Sequence, residues 1–376
     1  MSFLLAPDLV DFAHVLRRFF ATELPSERLR RHVLSDVGPV STESECAQLW
    51  NKVVDLGALS AVLPEDAGGL GFGPLAASVV LEESARALLP VPLFETVTFG
   101  VLQLLASEPS LAAANLLAEI ASGDRKVTGA FGSSADFALS AKPLAGGEES
   151  VVAVSGTLRL VPSFKSVTSL LVPAKLSDGR TALCLIDRLG ANADTFKSNP
   201  LQTFDLLRTF HEVILDGAQA RVITELKKTC GALAEDLSLA AVAELCGCAS
   251  RVVEMTAEYV KMRHQFGRPV GSFQAIQHKL ADMLLVSEQA QSLCRFLAWC
   301  MTSDRAQAPA AAAAAKGYAS EHIPRLCESA IQVHGGIGFT YEYDLHLYLR
   351  RALVLARGFQ SAEASYLSLS EKFLHS

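Results

Sequence analysis

The sequence predicts an α+β fold in which a small β-domain lies between two helical parts. Apolar residues recur at helix spacing from about residue 7 to residue 124. Short β-rich runs separated by turn residues continue from there to about residue 222. Long amphipathic segments follow and are typical of a helical bundle. We therefore expect an N-terminal helical domain (1–124), a middle β-domain (125–222) and a C-terminal helical bundle (223–376).

Composition excludes several classes of function. The 376 residues are 50% hydrophobic and 19% charged, so the chain can bury a large core. Its formal net charge is -7 and it has no long run of Lys or Arg, which argues against nucleic-acid binding. The first residues lack the basic region of a signal peptide, and apolar runs such as 308–315 are shorter than the roughly 20 residues that cross a bilayer. We expect a cytoplasmic protein without a membrane span.

The eight cysteines are scattered through apolar, helix-like segments, which predicts buried thiols in a reducing compartment. Cys246 and Cys248 are separated by one glycine. This pair lacks the two-residue spacer and the second ligand cluster of a metal site. We expect no metal centre.

The N-terminal part predicts helices from Leu9 to Phe20, around 46–56 and around 75–87. The glycine-rich segment 63–73 lies between two of them and does not follow the G-x-G-x-x-G spacing of a dinucleotide-binding loop. We therefore expect a plain loop there.

The middle part predicts short strands, and the last part predicts three long helices. The strand-like runs are 127–131, 151–154, 157–161, 169–172, 181–186 and 209–215, with turns at 146–147, 177–179 and 216–217. The helices are predicted at 233–259, 276–301 and 310–335.

Residues 263–274 form the first candidate cofactor element. A guanidinium and an amide at a junction of two helices are suitable donors for a pyrophosphate, and a phenylalanine can cover an aromatic ring. On the residues alone, the alternative is favoured in which Arg263 closes a surface ion pair and Phe266 lies in the core. The stretch and its continuation into L-A-D-M resemble the R-x-x-F-G-x-x-x-x-x-x-Q element of acyl-CoA dehydrogenases, flavoenzymes that desaturate fatty-acyl thioesters. The resemblance implies that Arg263, Gln265, Phe266 and Gln274 contact the FAD of a neighbouring subunit.

Residues 331–352 resemble the C-terminal signature of the same family. Glycines at the end of a helix let backbone amides approach a ligand closely. The resemblance implies that Gln332, Gly335 and Gly336 also bind FAD across a subunit interface, so an oligomer is expected. For His334, a satisfied hydrogen bond at a helix end and a ligand contact both stay open.

The turn that carries the catalytic base in most of the family is altered. Family members have a glutamate there, which removes the α-proton of the substrate, whereas a gapless match places Phe359 at that position. Such a base must be a carboxylate in an apolar pocket, where loss of hydration raises its pKa toward the working range. Phe359 cannot accept a proton. Glu363, one helical turn later, is a minor candidate.

Some family members place the base at the start of an earlier helix. Counting back from the first cofactor element puts Leu237 at that position, followed by Ser238. Glu235 and Asp236 lie just before it, and a register shift of one or two residues makes either a candidate base. The alternative is that they are exposed acids that favour the helix dipole.

Two β-domain motifs of the family are largely lost. The T-E-P-x-A-G-S-D segment corresponds to residues 128–136, and the W-I-T/S-N segment corresponds to Val161–Phe164. In the family these segments hold the isoalloxazine ring and line the thioester site. Residues 203–208 retain the T-x-D-x-x-R pattern, for which a structural ion pair and a ligand contact are both open.

The resemblance implies FAD as the cofactor, an acyl-CoA thioester as the substrate, and a role in fatty acid or lipid metabolism. It also implies a homologous subunit as partner and an electron-transferring flavoprotein as electron acceptor. Three hypotheses follow: a subunit of a heteromeric acyl-CoA dehydrogenase whose partner supplies the base, a self-sufficient dehydrogenase, flavin oxidase or monooxygenase with a displaced base, and a non-catalytic scaffold of the same fold.

Overall fold

The computed structural model describes residues 5–34, 43–131, 139–144, 150–192, 194–226 and 231–374. The chain folds as N-terminal helices, a central sheet and a C-terminal helical bundle, as the sequence predicts. The predicted turn at 146–147 and residues 132–136 of the altered motif lie outside the described residues.

The N-terminal part is helical. Proline occupies the first turn of two of its helices, where the missing N–H costs no hydrogen bond, and the hydroxyl of Ser110 accepts from the amide of Ala113 to cap a third. The helices are α1 (Pro7–Glu23), α2 (Ser26–Leu34), α3 (Glu43–Asp55), α4 (Gly73–Arg86), α5 (Leu93–Glu95), α6 (Gln103–Ala106) and α7 (Leu111–Ala121).

A π-helical segment, Thr96–Leu102, joins α5 to α6 without a break and is buried along its whole length. Position 100 of this segment is a glycine. A Cβ there would lie 3.0 Å from the side chain of Ile120, which leaves little room for a larger residue. The segment directs Phe99 toward the centre of the molecule, where it contacts other aromatic rings.

The middle part is a seven-stranded sheet with the order β1-β4-β2-β3-β7-β5, and β6 also pairs with β7. The runs predicted at 151–154 and 157–161 form one strand with two register shifts. Two strands were not predicted, because their sequences are short and contain lysine and proline. The strands are β1 (Val127–Thr128), β2 (Ser140–Pro143), β3 (Val151–Pro162), β4 (Ser169–Leu176), β5 (Thr181–Asp187), β6 (Phe196–Leu201) and β7 (Phe210–Glu225).

The C-terminal part is a helical bundle with a small hairpin that follows its first helix. The helices are α8 (Gly231–Met262), α9 (Gln274–Ser303), α10 (Ala308–His334), α11 (Leu345–Arg357) and α12 (Ala362–Leu374). The hairpin pairs β8 (His264–Gln265) with β9 (Arg268–Pro269). The three long helices predicted from the sequence correspond to α8, α9 and α10.

One hydrophobic core joins both helical parts and one face of the sheet, and a second core fills the β-domain. Phe131 and Phe210 of the β-domain belong to the first core, so the three parts meet around them. No helix in the described ranges is long and apolar enough to cross a membrane. The described residues contain no cluster of three or more potential metal ligands.

Candidate flavin and thioester site

Phe359, which the gapless sequence match places at the family's base position, lies in a turn just after the end of α11. Its ring is stacked on Phe131, with ring centroids 4.0 Å apart and an interplanar angle of 29°. Its centroid is 6.2 Å from that of Phe99. Phe131 also contacts Phe94 and Phe210, at 5.7 and 5.5 Å. Phe359 is thus part of a cluster of five phenylalanines, the phenylalanine cluster: Phe94, Phe99, Phe131, Phe210 and Phe359.

The backbone of this turn is strained and tightly packed. Phe359 has a φ of 65°, in the left-handed region that a residue with a Cβ adopts at a cost. Gly358 precedes it, and a Cβ there would lie 2.8 Å from the ring of Phe131. The turn therefore requires a glycine at 358 for the stacked arrangement.

The side chain of Lys316, on α10, reaches this turn. Its Nζ donates to the carbonyl oxygens of Leu355 and Ala356, both at 3.1 Å, and of Gln360, at 2.8 Å. It also lies 2.8 Å from the hydroxyl oxygen of Ser320. Lys316 is fully buried, and burial lowers its pKa to about 7.

Two hydroxyls at the altered β-domain motifs are engaged within the chain. Thr128 is fully buried and donates to the carbonyl oxygen of Pro162 at 2.9 Å. Ser163, whose φ is 51°, donates to a carboxylate oxygen of Glu95 at 2.9 Å. Both hydroxyl protons are therefore directed at oxygens of this chain.

A buried ion network ties the three parts of the chain together. Arg208 follows the retained T-x-D motif and binds both carboxylate oxygens of Glu244 on α8, at 2.9 and 2.8 Å. It also pairs with Glu95 on α5 at 3.0 Å, and its guanidinium lies 4.3 Å from the ring centre of Phe94. Burial raises the pKa of Glu95, against the opposing effect of Arg208.

The second half of the network joins the same motif to α11. Asp205 pairs with Arg351, and Arg351 lies 3.6 Å from Glu244. The geometry places Asp205 and Arg208 of the T-x-D-x-x-R motif in ion pairs within the chain.

Glu235 and Asp236 are buried, with 7% and 1% of their surface exposed. The expectation of exposed helix-terminal acids is wrong, because the start of α8 is packed inside the molecule. Glu235 lies 4.0 Å from Arg305. Among the described residues, Oδ2 of Asp236 has no hydrogen-bond partner, and burial raises the pKa of this carboxyl well above its ordinary value.

The residues of the first cofactor element lie on the surface. Phe266, at the tip of the β8–β9 hairpin, is 91% exposed and has a φ of 53°. Arg263, Gln265 and Gln274 are also exposed, and Gln265 donates to the carbonyl oxygen of His264. Within the described ranges, the side chains of Arg263 and Gln274 form no hydrogen bond or ion pair. Both are available to a ligand or a partner.

The second cofactor element also lies at the surface, at the end of α10. Gln332, Gly335 and Gly336 are exposed. A Cβ at either glycine would meet nothing within 4 Å, so packing inside this chain does not require glycine there; the φ of 64° at Gly335 does. His334 is buried, its Nδ1 bonds to the carbonyl oxygen of Ala330 at 2.8 Å, and its ring stacks on Tyr259. The helix-end hydrogen bond considered from the sequence is therefore present at Nδ1, whereas the buried Nε2 has no hydrogen-bond partner among the described residues.

Several residues around the site were missed by sequence reasoning. Glu244 is an isolated acid in the apolar stretch of α8, and that isolation was the available signal for a buried ion pair. Glu95 and Phe131 gave no comparable signal, since their partners are distant in the chain. Glu363, the minor candidate base, lines an open cleft of about 870 Å³ between α10, α11 and α12.

Comparison with known proteins identifies the family. Family models match the chain at two places: "Acyl-CoA dehydrogenase, N-terminal domain" over residues 7–124 and "Acyl-CoA dehydrogenase, C-terminal domain" over residues 238–359. Acyl-CoA dehydrogenase IpdE2 of Mycolicibacterium smegmatis is 32% identical over 331 residues, which cover 86% of this chain and 88% of the relative. The chain belongs to the acyl-CoA dehydrogenase family. Acyl-CoA dehydrogenase FadE27 of Mycobacterium tuberculosis is 31% identical over 320 residues, covering 81% and 82% of the two chains.

Two solved structures match over at least 98% of the chain. A chain of the ChsE4-ChsE5 complex from Mycobacterium tuberculosis has a TM-score of 0.85 and 26% identity, with 100% of each chain covered. A chain of the Tcur3481-Tcur3483 steroid ACAD has a TM-score of 0.82 and 29% identity, with 98% of each chain covered. The fold predicted from the sequence is confirmed.

This acyl-CoA dehydrogenase is thus a member of a class of FAD-dependent oxidoreductases. The exposed donors of Arg263, Gln274 and Gln332 fit a flavin that approaches from outside the chain. By contrast, the hydroxyls of Thr128 and Ser163 are engaged internally. The residues therefore fit FAD at this exposed surface better than at the chain's own β-domain.

Proposed function

We propose that this acyl-CoA dehydrogenase is one subunit of a heteromeric enzyme that forms an α,β-unsaturated acyl-CoA, and that a homologous partner chain supplies the catalytic base. The stacking of Phe359 on Phe131 carries the proposal. A hydrocarbon ring occupies the family's base position and packs into the phenylalanine cluster.

The reaction needs two groups. A base takes the α-proton of the thioester, and FAD, when bound, accepts the hydride that leaves the β-carbon, which yields the unsaturated thioester and reduced flavin. Phe359 offers no atom that can take the proton. Next to the cluster, Lys316 donates to backbone carbonyls, and the carboxylate of Glu95 is paired with Arg208.

This chain's contribution, on the proposal, is to hold the flavin bound next to the partner's base. Arg263, Gln274 and Gln332 would donate to the pyrophosphate and ribose of that flavin, and Phe266 would cover one of its aromatic rings. Large apolar side chains exposed on the same bundle would be covered by the partner. They include Met262 at 72%, Leu284 at 50%, Leu285 at 55%, Phe266 at 91% and Phe339 at 74% exposed.

The relatives support both the assembly and a substrate class. ChsE4-ChsE5 and Tcur3481-Tcur3483 are each described as a pair of named chains, and the second is described as a steroid ACAD. We therefore propose a bulky, steroid-like acyl-CoA thioester as the substrate. Electron transfer to an electron-transferring flavoprotein and a cytoplasmic location stay predictions.

Co-expression with a homologous chain tests the proposal. The partner should carry a glutamate at the position that aligns with Phe359, and the purified complex should be assayed with steroid-like and straight-chain acyl-CoA thioesters. Changing the partner's glutamate to glutamine should abolish turnover, whereas Asp236→Asn in this chain should leave it unchanged. Turnover that survives loss of the partner's glutamate would contradict the proposal.

A second candidate function is favoured by Asp236. Its buried carboxyl has an oxygen without a hydrogen-bond partner among the described residues and a raised pKa, which are properties of a general base. In this case the chain alone would be a dehydrogenase or a related flavin oxidase or monooxygenase. Asp236→Asn would then abolish turnover, and Glu235→Gln serves as the neighbouring control. If neither the chain nor its complexes bind FAD, the scaffold hypothesis is favoured instead.

A further inference from the structure

Lys316 is a buried lysine whose amino group contacts only uncharged oxygens. It is fully buried, and in the described part of the chain no carboxylate pairs with it. Burying an amino group without a counter-charge is costly, so the four oxygen contacts must offset that cost. Three of these oxygens are carbonyls at the end of α11 and in the turn beyond it: Leu355, Ala356 and Gln360.

These carbonyls include the groups that a helix leaves unsatisfied at its C-terminal end, where the helix dipole is also negative. Lys316 satisfies two of them and at the same time binds the carbonyl of Gln360. The amide of Gln360 donates back to the carbonyl of Gly358 at 2.8 Å, and the amide of Gly358 donates to Val354 at 2.9 Å. The turn is therefore tied to the helix on both sides of Phe359.

We propose that Lys316 is the positioning residue for position 359. By holding the carbonyls on both sides of Phe359, it keeps this residue in its left-handed conformation and its ring on Phe131. The inference rests on the proposed function only in treating 359 as the base position. The competing explanation is that Lys316 merely caps α11.

A double-mutant cycle on the purified chain separates the two. The equilibrium constant for urea unfolding is measured for the wild type, Lys316→Met, Phe359→Ala and the double variant. If Lys316 acts through Phe359, the two losses of stability overlap. The equilibrium constant for unfolding of the double variant is then about tenfold smaller than the value obtained by multiplying the two single effects. Effects that simply multiply would overturn the proposal, since a helix cap is independent of the ring at 359.

Hydrogen exchange gives a second readout. Lys316→Met should speed exchange at the amides of Gly358 and Gln360 about tenfold, which corresponds to the loss of a hydrogen bond or its equivalent. Ser320→Ala is the matched control, because it removes the contact on the same helix and leaves the three carbonyl contacts. Lys316→Arg, which keeps a donor group, should restore part of the protection. Unchanged exchange in Lys316→Met would overturn the proposal.

If Lys316→Met does not fold, the same exchange criterion is applied to Lys316→Gln, whose amide nitrogen lies one bond nearer the backbone than Nζ and should not reach all three carbonyls. Unfolding and exchange are both measured on this chain alone, without flavin or partner. The positioning role can therefore fail while the heteromeric function stands, and the reverse also holds.

Discussion

The ring of Phe359 lies face to face with the ring of Phe131, with centroids 4.0 Å apart. Phe359 comes from the turn after α11 and Phe131 from the residues after β1, so the contact joins the helical bundle to the β-domain. In the acyl-CoA dehydrogenase family the base glutamate is expected at the position of Phe359. On that expectation, apolar packing between two domains stands where most of the family has a proton acceptor.

Removing the ring should weaken the fold. Phe359→Ala should lower the free energy of unfolding by about 2 kcal/mol, because a half-buried aromatic ring loses its packing partners. Urea unfolding measures the loss. Phe266→Ala is the matched control, since that ring is 91% exposed, and it should change stability by less than about 0.5 kcal/mol. Equal losses in both variants would contradict the assignment of Phe359 to the core.

Substitutions in the exposed cofactor element should weaken FAD binding and leave the stability of the fold unchanged. In the co-expressed complex, Arg263→Ala should weaken FAD binding about tenfold or more, because a charge-assisted hydrogen bond is lost. Fluorescence of released flavin measures the change. Arg325→Ala is the control, since Arg325 is an exposed arginine paired with Glu321 at 3.1 Å. Unchanged FAD affinity in Arg263→Ala would remove this element from the flavin site.

The buried ion network should be sensitive to loss of one charge. Glu244→Gln leaves Arg208 with Glu95 as its remaining close carboxylate and should lower the free energy of unfolding by about 3 kcal/mol. Glu119→Gln is the surface control, because Glu119 pairs with Arg125 at 2.7 Å while 39% exposed, and its loss should cost less than about 1 kcal/mol. Similar losses in the two variants would contradict a structural role for the network.

Lys316 should make stability depend on pH. Burial lowers its pKa to about 7 in the folded chain. The unfolded chain, with an ordinary lysine pKa, binds more protons between the two values, so stability rises with pH above about 7. From about pH 7 to about pH 8.5 the free energy of unfolding of the wild type should rise by about 1–2 kcal/mol relative to Lys316→Met. A difference that does not change with pH would contradict the lowered pKa.

The sequence predicts the order of the parts and the long helices because their patterns are local. The strands β2 and β6 were missed, since their pairing depends on neighbours rather than on their own short sequences. The exposure of Asp236 was also predicted wrongly. Nothing local shows that the start of α8 is covered by other parts of the chain.

Part of the candidate site could also be predicted from the sequence, and part could not. The motif around Arg263 and Gln332 could be recognised from spacing, and Phe359 could be recognised as a departure from it. The residues that contact the buried positions of the site could not be recognised from the sequence. Phe131 lies more than two hundred residues before Phe359, and Glu244 meets Arg208 only after the β-domain docks on α8.

The content and reduction of FAD in the purified chain test the central claim most directly. The chain should be expressed alone and together with a homologous chain that carries the glutamate, and each preparation should be mixed with an acyl-CoA under anaerobic conditions. We predict that the flavin absorbance is retained and bleached only in the complex. A chain that alone binds FAD stoichiometrically and reduces it with an acyl-CoA would contradict the account.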